Sequence, residues 1–164
     1  MTPELHRPVA VERIGPNGLD VTVEANPAEC AALAQRMSLP AVLSLTCRFH
    51  LAEDAAGSLM VHGHLFADVV QTCIVSLEDF AASVEERFTV RCVPEGHETE
   101  DVDPEALDEI TYAEGRLDLG EAAAEQLALA LEPYPRAPGA VLPEVEGEAD
   151  THPFTALAAL KRRN

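Results

Sequence analysis

Leu43-Ser44-Leu45-Thr46-Cys47-Arg48-Phe49-His50-Leu51 alternates without a fault, apolar at odd positions and polar at even ones. Successive side chains of an extended strand point to opposite faces, so this period of two predicts a strand with one face on a core and the other open. The pattern continues downstream. A turn over Ala52–Ser58 leads into Leu59–Val70, a long stretch with Gly63 as the place for a bend. Thr72–Leu77 and Val84–Val93 follow as further strands, the second with Val84, Phe88, Val90 and Cys92 on one face and Glu85, Arg87, Thr89 and Arg91 on the other. Upstream, Val9-Ala10-Val11 and Leu19–Val23, separated by Gly15-Pro16-Asn17-Gly18, read as a hairpin, and Ile110 and Tyr112 add a short strand. The expected sheet is antiparallel, with about five to seven strands.

Helices bracket this block. Asn26-Pro27-Ala28-Glu29 supplies a cap, a proline at the first helical position and a capping-box glutamate. It predicts a helix from Pro27 to about Met37 with Cys30, Leu33, Ala34 and Met37 inward. Asp118-Leu119-Gly120-Glu121 repeats the signal, with Glu121 expected to reach back to the Asp118 amide, and Pro133 ends the helix near Leu131. At 3.6 residues per turn Leu119, Ala122, Ala123, Leu127 and Ala130 share one face, and Glu121, Glu125, Ala128 and Glu132 the other. A third helix is expected over Pro153–Arg162, beyond an acidic linker. These elements predict a single-domain α+β fold with an antiparallel β-sheet and about three helices. Residues 1–142 form the domain, and residues 143–164 the acidic linker and C-terminal helix.

At 164 residues and 47% apolar content, the chain is long enough to bury a sizeable core without staples. It shows neither a signal-peptide pattern nor a run of ~18 uncharged apolar residues. A cytoplasmic protein with no membrane partner is expected. Cys30, Cys47, Cys73 and Cys92 stand apart in apolar patterns, which reads as buried reduced thiols. The 29 acidic residues outweigh 11 basic ones to give a net charge of −18, with Lys161 the one lysine. Phosphate affinity comes from clustered Lys and Arg that displace counterions, so this charge argues against direct binding of bare RNA. A basic partner is electrostatically easier.

No catalytic signature stands in the chain: G-x-S-x-G, H-E-x-x-H, a Walker loop and G-x-G-x-x-G are all missing. His62 and His64 lie two apart on one strand, with His50 on the neighbour. If Ala52–Ser58 closes the hairpin, His62 is expected opposite Arg48, which leaves the histidines as surface residues and the metal assignment as none. The acidic run Pro94–Glu109 lacks the glycine and spacing of a calcium loop and reads as a solvated loop. Neither a catalytic residue nor a cofactor is assigned.

Two longer blocks carry a resemblance. Gly63-x-Leu65-x-Ala67-Asp68-Val69-Val70-Gln71-Thr72-Cys73-Ile74-Val75-Ser76-Leu77-Glu78, together with Leu117–Glu121 and Leu127-Ala128-Leu129-Ala130-Leu131-Glu132-Pro133-Tyr134-Pro135-Arg136, resembles the bacterial YceD family in its alphaproteobacterial form. The resemblance covers about Arg7 to Leu160. It implies a role in accumulation of the large-subunit ribosomal RNA and in ribosome biogenesis, and brings no catalytic residue. Many relatives read C-x-R-C-L where this chain has Cys73-Ile74-Val75-Ser76-Leu77. Val75 stands for the arginine and Ser76 for the second cysteine, so no metal or redox role of a cysteine pair carries over.

The resemblance and the charge together imply a non-enzymatic factor that binds a basic ribosomal protein or a precursor large-subunit particle. The acidic residues Glu121, Glu125 and Glu132, helped by the loop Glu98–Asp108, are the expected partner surface. Tyr134 and Arg136, between prolines that fix the backbone, are of the residue types that anchor interfaces. The alternatives are an RNA-processing enzyme and a structural adaptor linking ribosome and lipid synthesis. The sequence leaves the oligomeric state unknown.

Overall fold

The alternating stretch becomes the middle of a long strand, β3 (Ala41–Glu53), with Leu45, Cys47, Phe49 and Leu51 buried. These observations come from a computed structural model that describes residues 3–100 and 103–143. β3 lies between β2 (Leu19–Glu24) and β4 (Leu59–Thr72), and β5 (Asp79–Pro94) and β6 (Glu109–Tyr112) complete a five-stranded sheet in the order β2-β3-β4-β5-β6. Leu43, expected inward, is 59% exposed because the register shifts between Val42 and Ser44 and Val42 takes the core position instead.

Two short strands, β1 (Pro8–Ala10) and β7 (Arg116–Asp118), pair in a second sheet. The helices are α1 (Pro27–Arg36) and α2 (Leu119–Ala130). α1 has the expected capping box: the Glu29 amide donates to Asn26 Oδ1 at 2.9 Å and the Asn26 amide to Glu29 Oε2 at 2.8 Å. Leu33, Leu119, Ala123 and Leu127 join Leu45, Phe49, Val61 and Val69 in one buried cluster. Both helices therefore cover the odd-numbered face of β3 and β4, and no described element covers the even-numbered face.

Several expectations are corrected. The sheet is mixed, since β6 runs parallel to β5 while the other pairs are antiparallel. The N-terminal hairpin does not form. Gly15–Gly18 does turn, with the Gly18 amide on the Gly15 carbonyl, but Val11–Arg13 is a 3-10 turn, β1 pairs β7 and β2 pairs β3. Thr72–Leu77 is no strand: β4 ends at Thr72, and Cys73–Glu78 is the turn into β5. Asp118 caps α2 through Gly120 and Glu121, yet the Glu121 side chain goes to Arg36 instead of back to the Asp118 amide. Two α-helices stand among the described residues; the third, expected over Pro153–Arg162, and the linker from Glu144 lie outside them.

Gly63 answers a packing need within β4. A Cβ there would come within 2.1 Å of the Phe88 ring, which fills the space over the glycine and meets Phe49 edge-on at 6.0 Å between centroids.

Candidate functional site

The two sequence blocks singled out above meet at one end of the molecule. Where β4 leaves the sheet, the buried Gln71 side chain donates through Nε2 to the Glu132 carbonyl at 3.1 Å. The Ile74 amide donates to the Pro135 carbonyl at 2.9 Å. The exit of α2 is thus strapped along the Cys73–Glu78 turn. Pro133 and Pro135 cannot donate, so the strap offers carbonyls to the turn and keeps its side chains outside. Tyr134 is 71% exposed, Leu77 of the turn 77% and Leu129 on the last turn of α2 74%. Arg136 is exposed beside them. Three large side chains are thus open to water on neighbouring segments.

Beneath the strap sits Cys73. Its residue is buried, its amide donates to the Glu78 carbonyl, and the Ser76 amide points at Sγ at 3.4 Å. The Ser76 hydroxyl and the amides of Ser76, Ala137 and Val75 hold the thiol down at about 6. Burial acts the other way on Cys47 and Cys92, each pushed up to about 12. Ser76 therefore does for Cys73 what a hydrogen-bond donor does for any thiolate. Sequence reasoning read Cys73 as packing alone. The clue lay in the turn residues around it, whose amides converge only once the chain folds.

The acidic residues divide. Arg36 clamps Glu121 with bonds of 2.7 and 2.9 Å and also reaches Glu4 at 3.0 Å, so Glu121 ties α2 to α1. Glu125 and Glu132 are exposed. Desolvation, with Glu121 nearby, raises the Glu125 carboxyl above its ordinary range. Glu132 Oε1 accepts from the Tyr134 amide at 3.3 Å. In the acidic loop, Glu109 pairs with Arg91 at 2.6 Å and takes the Thr99 amide at 2.8 Å, and those Thr99 bonds hold its carboxyl low. The described part of Glu98–Asp108 is exposed.

The histidine register differs from expectation. His62 faces His50, and His64 faces Arg48. Asp54 is the cause: its carboxylate takes the Ala56 and Ser58 amides, the turn closes over Asp54–Ser58, and the strands extend to a Glu53–Leu59 pair. His50 donates to Asp20 at 2.6 Å and His64 to Glu85 at 2.7 Å. Among the described residues no group of three or more His, Cys, Asp or Glu side chains is placed to hold a metal ion.

These features define a class first: a small α+β protein whose recognisable blocks, 63–78 and 117–136, converge on one exposed strap. The chain matches the family model described as Large ribosomal RNA subunit accumulation protein YceD over residues 61–161, more than half its length, and it belongs to the YceD family. That description ties it to ribosome biogenesis and ribosomal RNA accumulation. Comparison with curated proteins and with solved structures found no match to either. No described helix is long and apolar enough to cross a membrane.

Proposed function

We propose that this protein is a non-enzymatic, cytoplasmic factor for large ribosomal subunit biogenesis that binds a basic ribosomal protein or a precursor large-subunit particle without a cofactor. The observation that carries the reading is the convergence of the two family blocks on the strap at Tyr134 and Arg136, with Ile74, Leu77 and Leu129 open around it. Tyrosine and arginine held on a stiff backbone are ordered at low entropic cost, which suits the anchor of an interface. Glu132 at the root of the strap and Glu125 further back on α2 steer a cationic partner toward it, while Glu121, already held by Arg36, lends charge. Residues 1–142 act as the domain, and residues 143–164 as the acidic linker and C-terminal helix. Two further readings, an RNA-processing enzyme and an adaptor linking ribosome and lipid synthesis, have no observation that favours them.

The test is a complementation assay in cells lacking the protein, read as large-subunit ribosomal RNA level. Tyr134→Ala with Arg136→Ala is expected to leave Tm within a few degrees and to fail to restore the RNA. Restoration to the full level by this variant would overturn the strap as the working surface. Salt-sensitive capture of an isolated basic ribosomal protein, weakened by Glu125→Gln with Glu132→Gln, is the expected companion result.

A further inference from the structure

The uncovered face of the sheet carries a pattern at odds with the rest of the molecule. In a chain of charge −18, Arg48, His64 and Arg87 stand in register across β3, β4 and β5, and the adjoining row places His50 opposite His62. An open depression of about 570 Å³ lies among these residues. In the next row along β4, Phe66 lies against the His64 ring at 4.1 Å between centroids, with the Arg48 guanidinium over its face at 6.0 Å.

The pairing of the sheet's arginines is selective. Arg91, at the far end of β5, is held by Glu109 at 2.6 Å. Arg48 and Arg87 are exposed and, among the described residues, have no carboxylate within 4.0 Å. The nearby carboxylates Asp20 and Glu85 are hydrogen-bonded to His50 and His64 instead. Arg13, Arg116 and Arg136 also lack a carboxylate within 4.0 Å among the described residues, but they are not aligned; it is the row of Arg48, His64 and Arg87 on one uncovered face that points to an anion from outside.

We propose that this face binds single-stranded RNA, with Arg48 and Arg87 on consecutive stretches of phosphate and a base stacked on Phe66. Strand spacing puts the two arginines about 10 Å apart, a track rather than a point site. Phe66, with the Arg48 guanidinium near its face and Glu85 opposite it on β5, offers an aromatic surface that a base can use and an acidic peptide does not. The global charge opposes this binding only at long range, because salt screens it beyond about 8 Å at physiological ionic strength. The face therefore suits a strand already brought close, such as one on a particle held by the strap, and the inference goes beyond that reading without depending on it.

The experiment titrates the isotope-labelled full chain with a short oligouridylate and follows amide shifts by NMR at several salt concentrations. Shifts are expected on β3, β4 and β5 around Arg48, His64 and Arg87. Arg48→Gln and Arg87→Gln should each weaken binding and flatten the log–log salt slope by roughly 0.7. Phe66→Leu should weaken it about tenfold with the slope unchanged. Arg13→Gln with Arg116→Gln, which removes the same charge away from this face, should leave the affinity within about twofold. Melting curves of each variant report on folding. The inference is overturned if the oligouridylate moves no amide on this face, if the control pair weakens binding as much as the sheet pair, or if polyglutamate moves the same amides with equal affinity.

Discussion

Gly120→Ala should destabilise this protein although alanine is the better helix former. Gly120 lies in the first turn of α2, where an added Cβ would fall 2.4 Å from the Leu5 carbonyl oxygen, 2.7 Å from its carbon and 3.0 Å from the Arg7 nitrogen. All three neighbours are backbone, so none can swing aside. The N-terminal segment must lift. Leu5 then leaves a fully buried site, at a cost of about 2 kcal/mol. The Arg7 amide bond to Asp118 Oδ1 (2.8 Å) and the Leu119 amide bond to the Arg7 carbonyl (3.1 Å) stretch or break, at about 1 kcal/mol each. Helix propensity returns about 1 kcal/mol. The net loss is about 3 kcal/mol, or a Tm lower by roughly 6–12 °C for a domain of this size. Thermal unfolding followed by circular dichroism measures it. An unchanged or raised Tm would show that the N-terminal segment does not press on α2.

The other predictions concern a cap and a thiol. Asn26→Ala removes the side-chain half of the α1 capping box, the Glu29 amide bond to Asn26 Oδ1, and should lower stability by about 1 kcal/mol in urea titrations, whereas Gln35→Ala on the same helix should change little. Cys73 has a folded-state pKa of about 6 against an ordinary 9.0, so its contribution to stability is complete above pH 9 and is lost as pH falls toward 6. The stability gap between wild type and Cys73→Ala should therefore widen as pH is raised through that window, and a gap that stays flat would mean the donors around Sγ favour no thiolate.

The elements were legible in the sequence wherever the signal was local. The alternation of Leu45, Cys47, Phe49 and Leu51, the Asn26–Glu29 cap and the proline stop after α2 each report their own segment, and each corresponds to an element of the fold. Pairing between segments left no such trace. Val9 and Leu117 are partners across two three-residue strands too short to carry a pattern, and Ile110 gives no sign that its strand runs parallel to β5. The hairpin register turned on one carboxylate, Asp54, capturing two amides. At the site, Tyr134 and Arg136 stood out by residue type between prolines. The turn on which their segment lies did not, because every bond joining the two, from the Ile74 amide to the Pro135 carbonyl, from Gln71 Nε2 to the Glu132 carbonyl and from the Ala137 amide to the Cys73 thiol, ends on the backbone of the strap. The sheet face was read residue by residue as surface histidines, since a set of side chains drawn from three strands exists only after the register is known.

The pairing of β1 with β7 sets the order in which the chain can finish folding. Arg7 and Asp118 are 111 residues apart, and Leu5, Val9 and the Asp118 cap have no complete environment until both have been synthesised. At about 5–20 residues per second, that interval is roughly 5–20 s of translation. During it the β2–β5 meander can assemble from neighbours in sequence, while Leu5 and Val9 wait without their cover. The closure that remains is the one in which the segment around Arg7 is clasped by the start of α2. A protein tied to ribosome production thus depends on the ribosome that makes it passing residue 118 before the segment around Arg7 has anywhere to dock.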